Sequence, residues 1–287
     1  MEKLCTGGHK NLIKVYGWGE FPNATYHFID MELCDFNLEE YLLCRVKEND
    51  DSRVPPECRP TEFGAVQIWD IMRQIAEGVA FIHSYGHVHR DLKPQNGTLF
   101  KFKLTDIVLH SVRDRAWKIA DFGLTSEGTS SRDIPTQFSQ GSPGYRPPEL
   151  VNVDAGASYT NKVDVWAMGC ILFQLATGSK PFANDHIVLE YSKGNAEIET
   201  RCHETIAPQM AKKISDTLQE MLEIKPSARP KSAVLARLFR DHCNSVALQE
   251  QIKEIPDDHD SQFGGTGILS NSTETVTDSS ASSRMGT

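Results

Sequence analysis

The middle of the chain carries apolar residues at three- and four-residue spacing, which predicts one buried face of a long helix ending near Tyr85. The members of this stripe are Trp69, Met72, Ile75, Ala76, Val79 and Ile82. Residues 164–173 are apolar on all sides after their opening aspartate and predict a fully buried helix. Two further amphipathic segments, 209–224 and 231–242, extend this helical part of the chain.

The N-terminal part of the chain has a different pattern. Residues 9–16, followed by a glycine, predict a turn that enters a short strand. Residues 25–33 predict a second strand, because aromatic and β-branched side chains dominate there. A short helix is predicted at 38–43, and the polar stretch 47–61, with two adjacent prolines, is typical of a surface insertion. The order of elements is therefore strands first and helices afterwards.

Composition and charge narrow the class of protein. The chain is 39% hydrophobic and 24% charged, as soluble globular proteins are, and its net charge of −9 argues against general binding of nucleic acid. Seven cysteines without a CxxC pair fit reduced thiols inside a cell. The longest apolar run, 165–173, is too short to span a membrane, and the N-terminus lacks the apolar core of a signal peptide. We expect an intracellular protein, cytoplasmic or nuclear.

The stretch His-Arg-Asp-Leu-Lys-Pro-Gln-Asn at 89–96 concentrates reactive side chains. The carboxylate of Asp91 can accept a hydroxyl proton, the ammonium of Lys93 can neutralise a phosphate oxygen, and the amide oxygen of Asn96 can ligate Mg²⁺. The stretch resembles the catalytic loop of protein kinases, His-Arg-Asp-Leu-x-x-x-Asn, at every defined position. The resemblance implies catalytic roles for Asp91, Lys93 and Arg90, a metal-ligating role for Asn96 and a packed, structural role for His89.

Asp121-Phe122-Gly123 follows a strand-like run and resembles the metal-binding motif of the same family. A carboxylate at a strand end can bind Mg²⁺ that bridges two phosphates, and glycine lets the backbone turn sharply. The resemblance makes Asp121 a metal ligand and makes Phe122 and Gly123 structural. Residues 124–140 resemble an activation loop in which Arg90 would pair with a phosphate. The candidate phosphosites are Thr129, Ser130, Ser131, Thr136 and Ser139, each with an ordinary loop hydroxyl as the alternative.

The segment that ends in Pro-Pro-Glu resembles the part of a kinase that receives the protein substrate, which implies substrate-binding roles for Ser142 and Tyr145. In the family, the closing glutamate pairs with a buried arginine. Here Glu149 and Arg229 match those structural positions. Asp164 opens the apolar helix and, by the same resemblance, would bond to the backbone of the catalytic loop, since a buried aspartate needs donors.

The resemblance also implies a nucleotide site. Met31 would be the gatekeeper, and the backbone of Glu32 and Cys34 would hydrogen-bond adenine. Leu109 would lie beneath adenine if residues 97–107 are an inserted loop, or an artefact of how the coding sequence was assembled. Ordinary core packing is the alternative for Met31 and Cys34.

The implied fold is α+β and protein-kinase-like, mostly the helical large lobe with a remnant of the small-lobe β-sheet. Residues 1–35 would form that remnant and the hinge, 36–245 the large lobe with insertions at about 47–61 and 97–107, and 246–287 a largely disordered tail. Neither a glycine-rich loop nor the lysine that clamps the α- and β-phosphates precedes the hinge. We therefore expect a domain truncated at its N-terminus, weakly active or inactive. We also expect poor solubility, because the two strands have open edges.

The implied function is that of a protein serine/threonine kinase, which uses ATP and Mg²⁺ to phosphorylate Ser or Thr hydroxyls of protein substrates. Lys93, two residues after Asp91, favours Ser/Thr over Tyr by family resemblance. The alternative is a non-catalytic kinase-like module that binds partners through its helical surface. The absent phosphate-clamping lysine supports that alternative, whereas the intact Asp91, Asn96 and Asp121 weigh against it. The protein substrate and the oligomeric state stay open.

Overall fold

The computed structural model of the protein describes residues 8–21, 26–46, 54–58, 64–94, 108–154 and 156–253. Asn96, the segment 97–107, most of 47–61 and everything after residue 253 lie outside these ranges, and so do the expectations that concern them. The helices are α1 (Leu38–Val46), α2 (Ala65–Ser84), α3 (Pro148–Val151), α4 (Lys162–Thr177), α5 (Asp185–Ser192), α6 (Pro208–Met221) and α7 (Ser232–Lys253). The strands are β1 (Val15–Glu20), β2 (His27–Met31), β3 (Phe36–Asn37), β4 (His87–Val88), β5 (Val108–Ser111), β6 (Ala116–Ile119), β7 (Ser126–Glu127), β8 (Ile134–Pro135) and β9 (Ser158–Tyr159).

Helices hold more of the described chain than strands do, and the strands form small antiparallel sheets, so the architecture is α+β as the sequence predicted. The long helix α2 buries the apolar stripe found in the sequence and packs along α7, where the rings of Trp69 and Phe239 stack with centroids 5.7 Å apart. No helix in the described ranges is long and apolar enough to cross a membrane.

Helix α4 lies at the centre of the helical core. Every residue from Lys162 to Ala176 is buried, as expected for a helix without a polar face. Trp166 stacks on Phe182 at 5.4 Å, and its other neighbours include the ring of Tyr191. The helix ends at Gly178, whose φ of +80° is the left-handed conformation that glycine adopts without a Cβ clash. This buried helix holds the surrounding loops in place.

A three-stranded sheet of order β3-β5-β6 leads the chain toward the predicted site. Val108 pairs with Ile119, and β6 also takes a bridge from the segment at Leu12, so the strand is paired on both sides. On the helix side, the Gln74 side chain of α2 accepts a hydrogen bond from the Trp117 amide at 2.9 Å. Because β6 is held on three sides, the residues that follow it have a defined position.

Strands β1 and β2 form a separate hairpin with an exposed apolar surface. Tyr16, Trp18 and Ile29 are each more than half exposed. An exposed patch of this kind marks either an interaction surface or an aggregation liability. The poor solubility expected from the sequence stays a prediction, and the exposed rings supply its physical cause.

Helix α7 differs from the sequence-based boundaries. The sequence predicts an end of the folded unit at residue 245 and an end of the amphipathic segment at 242, whereas the helix continues to Lys253. The residues from 246 onward, Val-Ala-Leu-Gln-Glu-Gln-Ile-Lys, have high helix propensity and contain neither Gly nor Pro. The first proline after them is Pro256. Propensity extends this helix beyond the apolar stripe that marked it in the sequence.

Candidate active site

The loop 89–94 leaves strand β4 directly above the N-terminus of α4. The fully buried Asp164 accepts hydrogen bonds from the amides of His89 and Arg90, each at 2.8 Å. It also contacts His83 Nε2 at 2.8 Å, and His83 is itself held by the Ser232 hydroxyl. Burial alone would raise the pKa of Asp164, but the hydrogen bonds from His83 and the Arg90 amide outweigh it and keep the pKa below the ordinary value. The carboxylate thus stays ionised and fixes the loop.

Asp91, Lys93 and Ser142 form a cluster of hydrogen bonds. Lys93 Nζ lies 3.0 Å from Asp91 Oδ2, and the Ser142 hydroxyl donates to Asp91 Oδ1 at 2.7 Å. Lys93 also donates to the Ser142 oxygen. The side chain of Asp91 is only 14% exposed and that of Lys93 only 9% exposed. Both carboxylate oxygens are therefore oriented, next to a cation and at the protein surface.

Arg90 connects this loop to the segment that follows Gly123. Its guanidinium donates to the Leu124 carbonyl and to Gln140 Oε1, and it donates to the Tyr159 hydroxyl at 2.8 Å. All three acceptors are neutral, whereas the sequence predicts a phosphate as the partner of Arg90. The candidate phosphosite Ser139 instead contacts Arg146 and the Leu150 carbonyl.

The Asp-Phe-Gly stretch follows β6 at the end of the sheet. Phe122 is buried and meets the His89 ring edge-on at 5.6 Å, while His89 Nε2 contacts the Ala120 carbonyl at 3.0 Å. The Gly123 amide donates to Asp121 Oδ1 at 3.2 Å. These contacts bring the catalytic loop and the Asp-Phe-Gly stretch together, as the motif order suggested.

Two of the described non-glycine residues with positive φ flank this site, Arg90 at +72° and Asp121 at +58°. Such a conformation is uncommon outside glycine and costs on the order of 1–3 kcal/mol. The Asp164 bond to the Arg90 amide and the Gly123 bond to Asp121 hold the backbone there. Backbone strain of this kind concentrates where side chains must be aimed.

Glu149 and Arg229 form a bidentate ion pair at 2.6 and 2.9 Å. The Arg229 side chain is fully buried, and its guanidinium also lies 4.9 Å from the centre of the Trp166 ring. Further bonds go to the carbonyls of Glu223, Ile224 and Lys162. The pair joins α3 to α4 and to the turn before α7, beneath the Ser142 segment.

Tyr145 lies under the Ser142 segment and not on the surface beside Asp91. It is only 4% exposed, and its hydroxyl donates to Gln174 Oε1 of α4 at 2.6 Å. Burial is the main cause that raises the pKa of Tyr145. Gly144, the residue before Tyr145, has a φ of +81°. A Cβ at this position would lie 2.6 Å from the carbonyl oxygen of Phe182. A larger residue would push the segment off the core.

Known proteins are similar to this chain in sequence. A family model described as "Protein kinase domain" matches residues 1–239. The chain belongs to the protein kinase family. It is 32% identical over 193 residues to Serine/threonine-protein kinase STK11 of Rattus norvegicus, an alignment that covers 66% of this chain and 38% of that protein.

Two other kinases show the same level of similarity. Maternal embryonic leucine zipper kinase of Xenopus tropicalis is 31% identical over 188 residues, 64% of this chain and 24% of that kinase. Calcium-dependent protein kinase 6 of Plasmodium berghei (strain Anka) is 32% identical over 227 residues, 79% of this chain and 13% of that kinase. The kinase chain described here thus spans well under half the length of these relatives.

The predicted hinge of the kinase contains a contact that the motifs did not reveal. Lys118 of β6 lies 2.9 Å from both carboxylate oxygens of Glu32, which also accepts the Lys14 amide at 2.7 Å. Burial would lower the pKa of Lys118, but its bonds to Asp114 and Glu32 outweigh burial and raise it. The only signal in the sequence was a lysine within the strand-like run Ala-Trp-Lys-Ile.

The other residues predicted to contact the nucleotide lie near the Lys118–Glu32 pair. Met31 and Cys34 pack partly buried against the core, and Leu109 lies half-buried on β5 between β3 and β6. Within the described ranges, no hydrogen bond uses the amide of Cys34 or the carbonyl of Glu32. Asn96 lies outside the described residues, so its position relative to Asp121 stays a prediction.

Proposed function

We propose that the protein is a serine/threonine kinase that transfers the γ-phosphoryl group of ATP to Ser or Thr hydroxyls of protein substrates. The observation that carries this proposal is the Asp91–Lys93–Ser142 cluster, in which a surface carboxylate is oriented by a hydroxyl and an ammonium. One of the kinases to which the chain is similar is named a serine/threonine-protein kinase. A non-catalytic module has no physical need for this arrangement.

The chemistry follows from the positions of these groups. Asp91 accepts the proton of the substrate hydroxyl while the hydroxyl oxygen forms a bond to the γ-phosphorus of ATP. In the same step the bond between the γ-phosphorus and the leaving ADP oxygen breaks. Lys93, which donates to Asp91 and to Ser142, offers its remaining N–H donor to the transferred phosphoryl oxygens. Ser142 orients the carboxylate. Ser142 and Lys93 therefore determine the angle from which a hydroxyl can approach.

The carboxylate of Asp121 fits Mg²⁺. None of the ion pairs in the described part of the chain engages Asp121, and its half-buried carboxylate carries one amide hydrogen bond, so oxygens are available to a hard cation. We propose Asp121 and Asn96 as the metal ligands, and the Glu32 carbonyl and Cys34 amide as partners of adenine between Met31 and Leu109. Bound Mg²⁺ would neutralise charge on the phosphates.

We expect slow turnover from the 287-residue chain. No Gly-x-Gly-x-x-Gly sequence precedes Met31 in it. Loss of one preorganised donor in an active site costs roughly 10²–10³-fold in rate. The test must therefore detect small rates against a matched control.

The test is transfer of labelled γ-phosphate to mixed Ser-, Thr- and Tyr-containing peptides, in the protein and in its Asp91→Asn variant. Asn at 91 keeps the shape but cannot take the proton, so transfer to Ser and Thr peptides should fall at least 100-fold, within the range of general-base effects of about 10²–10⁴. Asp216→Asn, on the exposed face of α6, is the control and should change nothing. Equal transfer by the protein and by Asp91→Asn would refute the proposal.

We propose protein substrates and an intracellular location on related grounds. Cys34, Cys170, Cys202 and Cys243 in the described ranges are free thiols, and Cys170 lies in the core. Free thiols persist in reducing compartments. Fractionation of cells that express the protein would test the location, and recovery of the protein from the medium would contradict it.

A further inference from the structure

A cleft of about 730 Å³ lies between α2 and α7, away from the candidate active site. Arg73 and Glu77 line it from α2, Arg237 and Arg240 line it from α7, and Lys10 closes one end. None of these residues contacts Asp91 or Asp121 in the hydrogen bonds and ion pairs found within the described ranges. The cleft is therefore a second concave surface, with chemistry of its own.

The charges in this cleft do not balance. Glu77 is the only carboxylate among the described residues that line it, and it is shared by Lys10 at 3.3 Å, Arg73 at 3.2 Å and Arg240 at 2.9 Å. Burial would raise the pKa of Glu77, but the bond from Arg240 and the charges of Arg73 and Lys10 lower it, so Glu77 is ionised at neutral pH. Arg73 also pairs with Asp70, so two carboxylates serve four cations, and none of the ion pairs among the described residues engages Arg237. We call the surface formed by Lys10, Arg73, Glu77, Arg237 and Arg240 the basic groove.

The basic groove continues into a second cleft of about 490 Å³, which shares Lys10 and Arg73 with it. This extension adds the cations Arg115 and Lys118 and the carboxylates Asp70 and Asp114. Its own charges nearly cancel. The excess of positive charge is therefore concentrated at the α7 side, in a chain whose net charge is −9.

The acidic sequence nearest in the chain to this surface begins where α7 ends. Residues 254–260 read Glu-Ile-Pro-Asp-Asp-His-Asp, four carboxylates in seven residues. Arg240, the groove cation nearest to the end of α7, lies 13 residues before Lys253, a distance of about 20 Å at 1.5 Å per residue. An extended chain spans about 3.3 Å per residue, so about six residues cover the way back, which brings Asp260 level with Arg240. Pro256 prevents the helix from simply continuing.

We propose that the segment 254–260 of this chain docks in the basic groove, with Asp260 against Arg237, Arg240 and Lys10. The attachment to α7 gives the segment an effective concentration of about millimolar, so weak charge pairing is enough to populate the bound state. Because the contacts are exposed ion pairs, salt weakens them. This docking does not depend on the kinase reaction proposed above.

The test is carbodiimide cross-linking of the full chain, read by mass spectrometry of the digested protein. The reagent activates a carboxylate, the amine of Lys10 attacks it, an amide bond forms, and the reagent leaves as a urea that carries the oxygen. The neighbouring Lys10 and Glu77 provide an internal reference link. We expect a second link, from Lys10 to Asp260, reduced at least fivefold relative to the reference in 0.5 M salt, where the screening length is only about 4 Å.

Matched variants separate docking from chance contact. Arg237→Gln with Arg240→Gln leaves every cross-linking group in place and should lower the tail links at least fivefold. Lys193→Gln with Lys212→Gln removes two exposed cations elsewhere and should leave them unchanged. Asp257→Lys with Asp258→Lys reverses the charge beside Asp260 and should abolish the Asp260 link, whereas Glu274→Lys with Asp278→Lys should not.

Three outcomes would overturn the proposal. The first is a Lys10–Glu77 link without any tail link at low salt. The second is a tail link that survives Arg237→Gln with Arg240→Gln, which would show that the groove cations do not hold the segment. The third comes from a mixture of ¹⁴N- and ¹⁵N-labelled protein, in which links of mixed isotope composition would assign the groove to a second copy or another acidic partner.

Discussion

Replacement of Asp164 by asparagine tests how the catalytic loop is held. In the protein, Oδ1 accepts the Arg90 amide, and Oδ2 accepts the His89 amide and contacts His83 Nε2. The asparagine side chain has only one acceptor oxygen. This oxygen can take the Oδ2 position, beside the His89 amide and His83, or the Oδ1 position, beside the Arg90 amide alone. The less costly orientation keeps the two bonds at the Oδ2 position and leaves the Arg90 amide facing an NH₂ group.

The magnitude follows from this count of bonds. One buried donor without a partner costs about 1–3 kcal/mol, and bonds to a charged acceptor are worth about 1.5–3 kcal/mol against about 0.5–1.5 kcal/mol for a neutral one. Loss of one bond and weakening of two others predicts that Asp164→Asn lowers the free energy of unfolding by about 2–4 kcal/mol. Urea unfolding followed by tryptophan fluorescence at pH 7 measures this difference. Asp216→Asn, on the exposed face of α6, should stay within about 0.5 kcal/mol of the unaltered protein.

The effect also has a defined dependence on pH. The pKa of Asp164 is lower in the folded protein than in the unfolded chain, so its stabilising contribution is complete above the ordinary carboxyl pKa and is lost as the pH falls through the folded value. The difference between the protein and Asp164→Asn should therefore be constant near neutral pH and narrow in acid. A difference below about 0.5 kcal/mol at pH 7, or one that widens in acid, would refute this account of how the loop is held.

Two further predictions concern the ion pair beneath the Ser142 segment and the metal ligand. Arg229→Met should lower the free energy of unfolding by about 3–5 kcal/mol, because it leaves Glu149 and several carbonyls without their partner. Arg201→Met, at an exposed site, should leave the free energy of unfolding unchanged in the same urea titration. Asp121→Ala should abolish Mg²⁺-dependent ATP binding measured by calorimetry, with the circular dichroism spectrum unchanged. Equal affinity in the variant would remove Asp121 from the proposed metal site.

The sequence was most informative where a pattern is local. The stripe of α2 and the all-apolar stretch of α4 were readable because burial of one helical face, or of all faces, repeats within a few residues. The short motifs, each only a few residues long, also pointed to Asp91 and Asp121 as site residues. The end of α7 was missed, because helix propensity carried it past the last apolar position that packs against α2.

What only the tertiary structure decided was the pairing of polar groups across long distances in the chain. Gln74 bonds to the Trp117 amide 43 residues away, and Lys118 finds Glu32 at a separation of 86 residues. No periodicity encodes such pairs, since they depend on which elements pack together and in what register. The chain by itself determined the helices that form the core and the motifs that mark the site. Packing decided that Arg90 meets neutral acceptors, that Tyr145 lies below the loop and that Lys10, Arg73 and Arg240 share Glu77, because polar side chains pair with whatever the fold brings within about 3 Å.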